Sequence, residues 1–410
     1  MDSKYPYETI CEESEDEWLV VSRMKSRIVF CFFCYSIARG LFLFCINYSI
    51  IKLVCTFKDY YFSQSLKLSN ISNFQVLIDI LLNKMDGKMN NLISVVVTCY
   101  NHEKYIEQCL RSVFNQTYTN IELIVLDDGS TDSSGEICDQ YAREDNRIKV
   151  LHIENGGLSN ARNTGVKESS TDWIVFIDSD DYYDHRAIEY LVKLRDKYRV
   201  DLVATPVIEV RNYENSDFLG DFREKYSGKL DRRKALEQMF YGNYVGTHSG
   251  GKLYKKEILL RFPYPKGMLY EDLALAYEHI ASCENIAVSD LNLYKYYRRP
   301  GSIVNSKYSY RLLDFYKEME WNRSYIERDY SGDRDMRRAL NVRYVFNGLH
   351  IVHAMLSSDM YAEVNKIRKE YIQYFKDVIP NSNVTRKNKL KYILFLVSAK
   401  LYNTIRNKIG

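Results

Sequence analysis

Four apolar, β-branched runs follow one another closely, and each opens into a polar loop: LISVVVT (92–98), IELIVL (121–126), RIKVLHI (147–153) and WIVFI (173–177). The runs are continuous rather than alternating, as strands buried on both faces of a parallel sheet require. Stretches of helical spacing separate them. Residues 103–114 place Ile106, Leu110 and Val113 on one face, residues 132–143 follow Asp132 as an expected N-cap, and 158–166 form a third helix. A helix over 186–198 and a fifth strand, DLVAT (201–205), continue the alternation. Strands and helices joined by short connections predict an α/β fold: a doubly wound, mostly parallel sheet with flanking helices.

Such sheets bind ligands outside the carboxyl ends of their strands. At that edge the chain carries Thr98, Tyr100 and Asn101, then Asp127-Asp128-Gly129-Ser130, then the stretch from Asn155 to Asn163 with Arg162, then Asp178-Ser179-Asp180-Asp181. One polar loop is an ordinary turn, whereas four on one edge point to a ligand. Asp127 and Asp128 are acceptors suited to a base N–H and ribose hydroxyls. Asp178 and Asp180 would repel a diphosphate unless a hard divalent cation, Mg²⁺ or Mn²⁺, lay between them. By itself the D-S-D-D stretch serves equally as the acidic start of a helix.

Four blocks together resemble the family two glycosyltransferases, the inverting group with the GT-A fold: SVVVTCYNHEKYIEQCLRSVFNQTY (94–118), IELIVLDDGSTDSS (121–134), NGGLSNARNTGV (155–166) and WIVFIDSDDYY (173–183). The similarity extends over about residues 90–300 and points toward bacterial capsule and exopolysaccharide transferases. It implies a nucleotide-diphosphate sugar donor, UDP foremost, and a hydroxyl of a glycan or lipid-linked oligosaccharide as acceptor. It implies a nucleotide pocket of Thr98, Tyr100, Asp127 and Asp128, with Arg162 and Asn163 facing the donor. Asp178 is implied at the ribose or metal and Asp180 as metal ligand. The catalytic base is implied on Glu271-Asp272, with Asp272 preferred; without the resemblance this pair reads as the acidic first turn of a helix. Lys252 and Tyr297-Arg298 match recurring blocks, on the acceptor side or over the diphosphate, and His248 reads as a solvated loop residue. The absence of a Q-x-x-R-W block predicts addition of one sugar rather than polymerisation.

Other classes fit less well. A net charge of +3 argues against a nucleic-acid partner. A dehydrogenase would need G-x-G-x-x-G after the first strand, and a sugar-phosphate nucleotidyltransferase a glycine-rich loop where Thr98-Cys99-Tyr100-Asn101 stands. A silent nucleotide-sugar-binding scaffold remains the alternative that a donor-hydrolysis assay would separate.

The flanks differ from the centre. Residues 1–88 contain an apolar stretch from Ile28 to Cys55, long enough to span a bilayer and interrupted by Arg39 and Lys52. Either it is a hydrophobic membrane helix, or translation starts at Met85 or Met89. Cys31 and Cys34 read as apolar packing, and the scattered cysteines as thiols of a reducing compartment. The transferase domain is expected over 89–304 and a helical region over 305–410. KNKLKYILFLVSAKLYNTIRNKIG (387–410) is basic and apolar, which predicts a helix lying on anionic lipid. Together these place the protein on the cytoplasmic face of a bacterial plasma membrane, peripheral or singly anchored.

Overall fold

Strand β1 (Ile93–Cys99) is buried along its whole length. Its Ile93, Val95 and Val97 enter one core and its Val96 the other, so the sheet is covered on both faces. β2 (Ile121–Asp127) and β4 (Trp173–Asp178) flank β1, and β3 (Ile148–His152) lies outside β2, all parallel. The computed structural model describes residues 91–211, 222–299 and 308–409. All of these fall in one compact unit, Asn83–Gly410. The apolar stretch 28–55, its two cysteines and the starts at Met85 and Met89 lie outside the described residues.

The remaining strands are β5 (Tyr182–Tyr183), β6 (Leu202–Ala204), β7 (Val207–Val210), β8 (Ser227–Asp231), β9 (Lys252–Lys255), β10 (Asn285–Ser289) and β11 (Tyr294–Tyr297). The large sheet runs β3-β2-β1-β4-β9-β6-β10-β8, and β5-β11-β7 form a small second one. The large sheet is mostly parallel. The expected fifth strand, β6, does not lie beside β4, because β9 enters antiparallel between them.

Helices α1 (Ile106–Phe114), α2 (Ser134–Glu144) and α3 (Leu158–Glu168) follow the first three strands, and α4 (Ala187–Tyr198) precedes β6. Residue 132 is not the cap of α2. Ser133 holds that position, and Asp132 instead accepts from the N–H of Ser134 (3.0 Å) and of Glu103 (3.1 Å), tying two loops together. α3 packs closely on the sheet: a Cβ on Gly165 would lie 2.4 Å from Val96 Cγ1. α5 (Arg232–Tyr241), α6 (Lys256–Arg261) and α7 (Glu271–Ala281) cover the second half of that face.

The C-terminal helices are α8 (Asp314–Tyr330), α9 (Arg334–Leu356), α10 (Tyr361–Tyr371), α11 (Phe375–Val378), α12 (Arg386–Val397) and α13 (Ala399–Ile409). They share a core with the sheet, where Phe240 and Tyr277 join Phe315, Met319 and Val345. The last stretch is two helices rather than one, broken at the extended Ser398. Tyr392, Phe395 and Tyr402 are buried, whereas Leu390, Ile393, Val397 and Leu401 are exposed. Among the described residues no helix is long and apolar enough to cross a membrane. Cys99, Cys109, Cys138 and Cys283 are buried free thiols.

Candidate active site

The register aligns the loops. Thr98 pairs with Asp178 across β1 and β4, and Cys99 with Asp127 across β1 and β2. Asp127 and Asp178 therefore flank the end of β1. Thr98 Oγ1 donates to Asp178 Oδ1 at 3.0 Å.

The two neighbouring acids after β2 hold the loops around them. Asp128 accepts from the backbone N–H of Gly156 (2.9 Å) and Gly157 (2.8 Å). Gly157 sits at φ +79°, a conformation glycine adopts without strain. Asp127 accepts from Ser130 N and pairs with His152 Nδ1 at 2.8 Å. That bond, with a smaller contribution from Asp139, raises the His152 pKa against the lowering effect of partial burial. Asn101 lies at φ +52°, and its side chain accepts from Thr131 N. Tyr100 is 47% exposed beside this rim.

Arg162 is the centre of the arrangement. It is 3% exposed on α3. Its Nη2 forks onto both oxygens of Asp178 (3.0 and 3.1 Å), and its Nη1 reaches Glu271 Oε1 at 2.6 Å. The guanidinium also lies 5.3 Å from the Tyr264 ring centroid. Asn163, expected at the donor, is engaged elsewhere: its amide exchanges two hydrogen bonds with the Tyr264 backbone.

Glu271 and Asp272 open α7 after Tyr270, which is held at φ +62°. A bulky residue in that region marks stored backbone strain. Burial raises the Glu271 pKa against the opposing charge of Arg162, and Asp272 raises it further. Asp272 is half-buried, and its Oδ1 accepts from Leu273 N at 2.7 Å. The acidic pair is thus divided: Glu271 belongs to Arg162, and Asp272 has no cationic partner among the described residues.

After β4 the acids divide again. Asp181 is 1% exposed, accepting from Tyr294 Oη (2.6 Å) and Tyr297 N (2.9 Å), and so fixes the small sheet to the large one. Burial, with Asp180 and Asp178 nearby, pushes its pKa well up. Asp180 pairs with Arg299 Nε at 2.7 Å, and His102 Nε2 lies 3.9 Å away. The other His102 nitrogen bonds Ser179 Oγ at 2.6 Å.

Deeper in, Lys252 is 2% exposed and its Nζ donates to the His248 carbonyl. Burial pushes its pKa down to about 7. The His248 ring is not solvated: Nε2 is buried without a partner, and burial holds the imidazole well below its usual range. Glu318 of α8 is fully buried with both oxygens unpartnered, and burial with the charge of Asp272 pushes it up to about 10. The sequence did not single out His102, Arg299 or Glu318. Arg299 follows the Tyr297-Arg298 pair that was noted, whereas Glu318 looks like any helix-surface acid.

The model of the family described as "Glycosyl transferase family 2" matches residues 94–261. Over 253 residues the chain is 33% identical to "Glycosyltransferase GlyG" of Streptococcus pneumoniae serotype 4, covering 58% of this chain and 78% of that protein. It is 27% identical over 263 residues to "Minor teichoic acid biosynthesis protein GgaA" of Bacillus subtilis, covering 62% of this chain and 53%, about half, of that relative. The fold resembles that of S. aureus TarS 1–349, crystallised in complex with UDP-GlcNAc, at TM-score 0.56 and 22% identity over 77% of this chain and 90% of that one. With its four loop blocks inside the matched domain and most of a one-third-identical relative spanned, the chain belongs to glycosyl transferase family 2 and is a glycosyltransferase.

Proposed function

We propose that the protein transfers one sugar from a nucleoside-diphosphate donor, UDP foremost, to a hydroxyl of a glycan or lipid-linked oligosaccharide, inverting the anomeric centre. The observation that carries this is the Arg162 bridge, which joins the donor-side Asp178 to the acidic pair on α7. In this reaction the Asp272 carboxylate takes the proton of the acceptor hydroxyl. The oxygen attacks the anomeric carbon from the side opposite the diphosphate. A new C–O bond forms as the old one breaks, and the nucleoside diphosphate leaves with the electron pair. Thr98, Tyr100 and the loops fixed by Asp127 and Asp128 line the nucleotide pocket.

Mn²⁺ or Mg²⁺ fits the donor set at Asp180. Its carboxylate lies 3.9 Å from His102 Nε2 and meets the Arg299 guanidinium, which supplies positive charge there. Among the described residues no three His, Cys, Asp or Glu side chains converge on a metal. The protein would contribute Asp180 and His102, and diphosphate and water oxygens the rest. Asp178 is less suited, because both oxygens meet Arg162. When bound, the ion neutralises charge on the leaving diphosphate.

The same reading places the protein on the cytoplasmic membrane face, in surface-polysaccharide synthesis. The relative named for minor teichoic acid biosynthesis supports that setting. Leu390, Ile393 and Val397 on the outer side of α12, beside Arg386 and Lys387, suit anionic lipid. The deciding experiment is turnover of a panel of nucleotide sugars with and without divalent ions. Release of nucleoside diphosphate from one donor supports the proposal, and none from any donor overturns it.

A further inference from the structure

The C-terminal helices enclose a cavity of about 310 Å³ to which the transfer step assigns no role. Residues of α5, α9, α12 and α13 line it. Arg343, His350, Lys391 and Arg406 are among its walls, and no Asp or Glu is. None of these cations pairs with a carboxylate among the described residues. His350 keeps an exposed side, and partial loss of solvent, then the charges of Arg406 and Lys391, lower its imidazole pKa. Two held guanidinium groups and the exposed Lys391 ammonium thus line a space large enough for a phosphate and the group attached to it.

The guanidinium groups are held in place. Arg343 Nη2 donates to Thr247 Oγ1 at 2.8 Å, and its Nε is buried without a partner. Arg406 Nη1 donates to Tyr402 Oη at 3.2 Å. Arranging unpaired like charges around a void costs energy that an anion would recover. The cavity adjoins the loop before β9, where Arg343 Nη2 meets Thr247, and burial lowers the Arg343 pKa against the opposing charge of Asp272 on the acceptor side.

We propose that this cavity binds a phosphate group carried by the acceptor. The inference rests on Asp272 marking the acceptor side. Planar guanidinium forks suit phosphate oxygens, and Lys391 adds a mobile point charge at the rim.

The test follows the His350 imidazole by NMR in the full chain, with saturating nucleoside diphosphate to fill the donor site. Inorganic phosphate should raise the His350 midpoint by about one pH unit, because a bound anion offsets the part of the depression that Arg406 and Lys391 contribute. Chloride at equal ionic strength should not. Lys391→Gln with Arg406→Gln should abolish the phosphate response while leaving donor hydrolysis unchanged. A His350 midpoint that phosphate does not move overturns the site. A soluble glycerol-phosphate oligomer should reproduce the shift and compete with phosphate. If phosphatidylglycerol vesicles reproduce it and the oligomer does not, the anion is a lipid headgroup and the acceptor assignment falls. Loss of donor turnover in the unaltered protein would instead count against the transferase reaction, and the phosphate response would still decide the cavity.

Discussion

Arg162 and Glu271, 109 residues apart, meet at 2.6 Å in a buried ion pair that also holds Asp178. A buried guanidinium is tolerated only when its charge and donors are met. Removing it leaves two carboxylates facing each other without a cation. Arg162→Gln should cost about 3–5 kcal/mol of stability and lower transfer strongly. Arg162→Lys should recover part of the stability but not the activity, since an ammonium cannot fork onto Asp178 and reach Glu271 together. Denaturant melts beside transfer rates check both.

Asp272 should matter to chemistry rather than to donor binding. Asp272→Asn should lower kcat by a factor on the order of 10² to 10⁴, with nucleotide affinity within a few-fold. Glu271→Gln should act differently, through stability, because it removes the partner of Arg162. A near-normal kcat for Asp272→Asn would move the base elsewhere.

The adjacent acids after β4 should separate by phenotype. Asp180→Asn should abolish metal-stimulated activity with an unchanged Tm, since Asp180 sits at the mouth beside Arg299. Asp181→Asn should lower the Tm, because an amide N–H would confront the N–H of Tyr297 or the hydroxyl of Tyr294. Paired melts and assays in EDTA and in Mn²⁺ check this. Full activity in EDTA would remove the ion from the mechanism.

Acid should weaken the fold through His279. The ring is 3% exposed and bonded to the Phe262 carbonyl at 2.9 Å, and burial pushes its pKa down to about 4. The folded value lies below the unfolded one, near 6.5, so the unfolded chain binds the proton more readily. This contribution is complete above pH 6.5 and is lost as pH falls toward 4. Denaturant titrations at pH 7 and 4.5 should show a smaller pH dependence in His279→Gln than in the unaltered protein.

Gly165 should be intolerant of a side chain although it lies in a helix. An added Cβ would sit 2.4 Å from Val96 Cγ1 and 3.0 Å from Leu126 Cδ2, so α3 would be lifted from the sheet. Gly165→Ala should cost about 1–3 kcal/mol, against the small gain alanine gives in an open helix. The measurement is the denaturation midpoint.

The sequence by itself determined the strands β1 to β4, the helices between them and the edge where the polar loops meet. Those features arise from local periodicity, and the parallel pairing that aligns Thr98 with Asp178 follows from them. Local pattern also marked Asp180, and the family resemblance the acidic pair. Only the tertiary structure decided how neighbouring acids divide their roles. Asp181 turns into the core and Asp180 toward Arg299 because β11 returns to pair with β5, just after these acids. Glu271 turns to Arg162 and Asp272 does not, because α7 docks on α3's side of the sheet. The insertion of β9, the break at Ser398 and the cationic cavity between distant helices were likewise set by long-range packing. Such contacts join residues far apart in the chain, where no local spacing records which partner each side chain will meet.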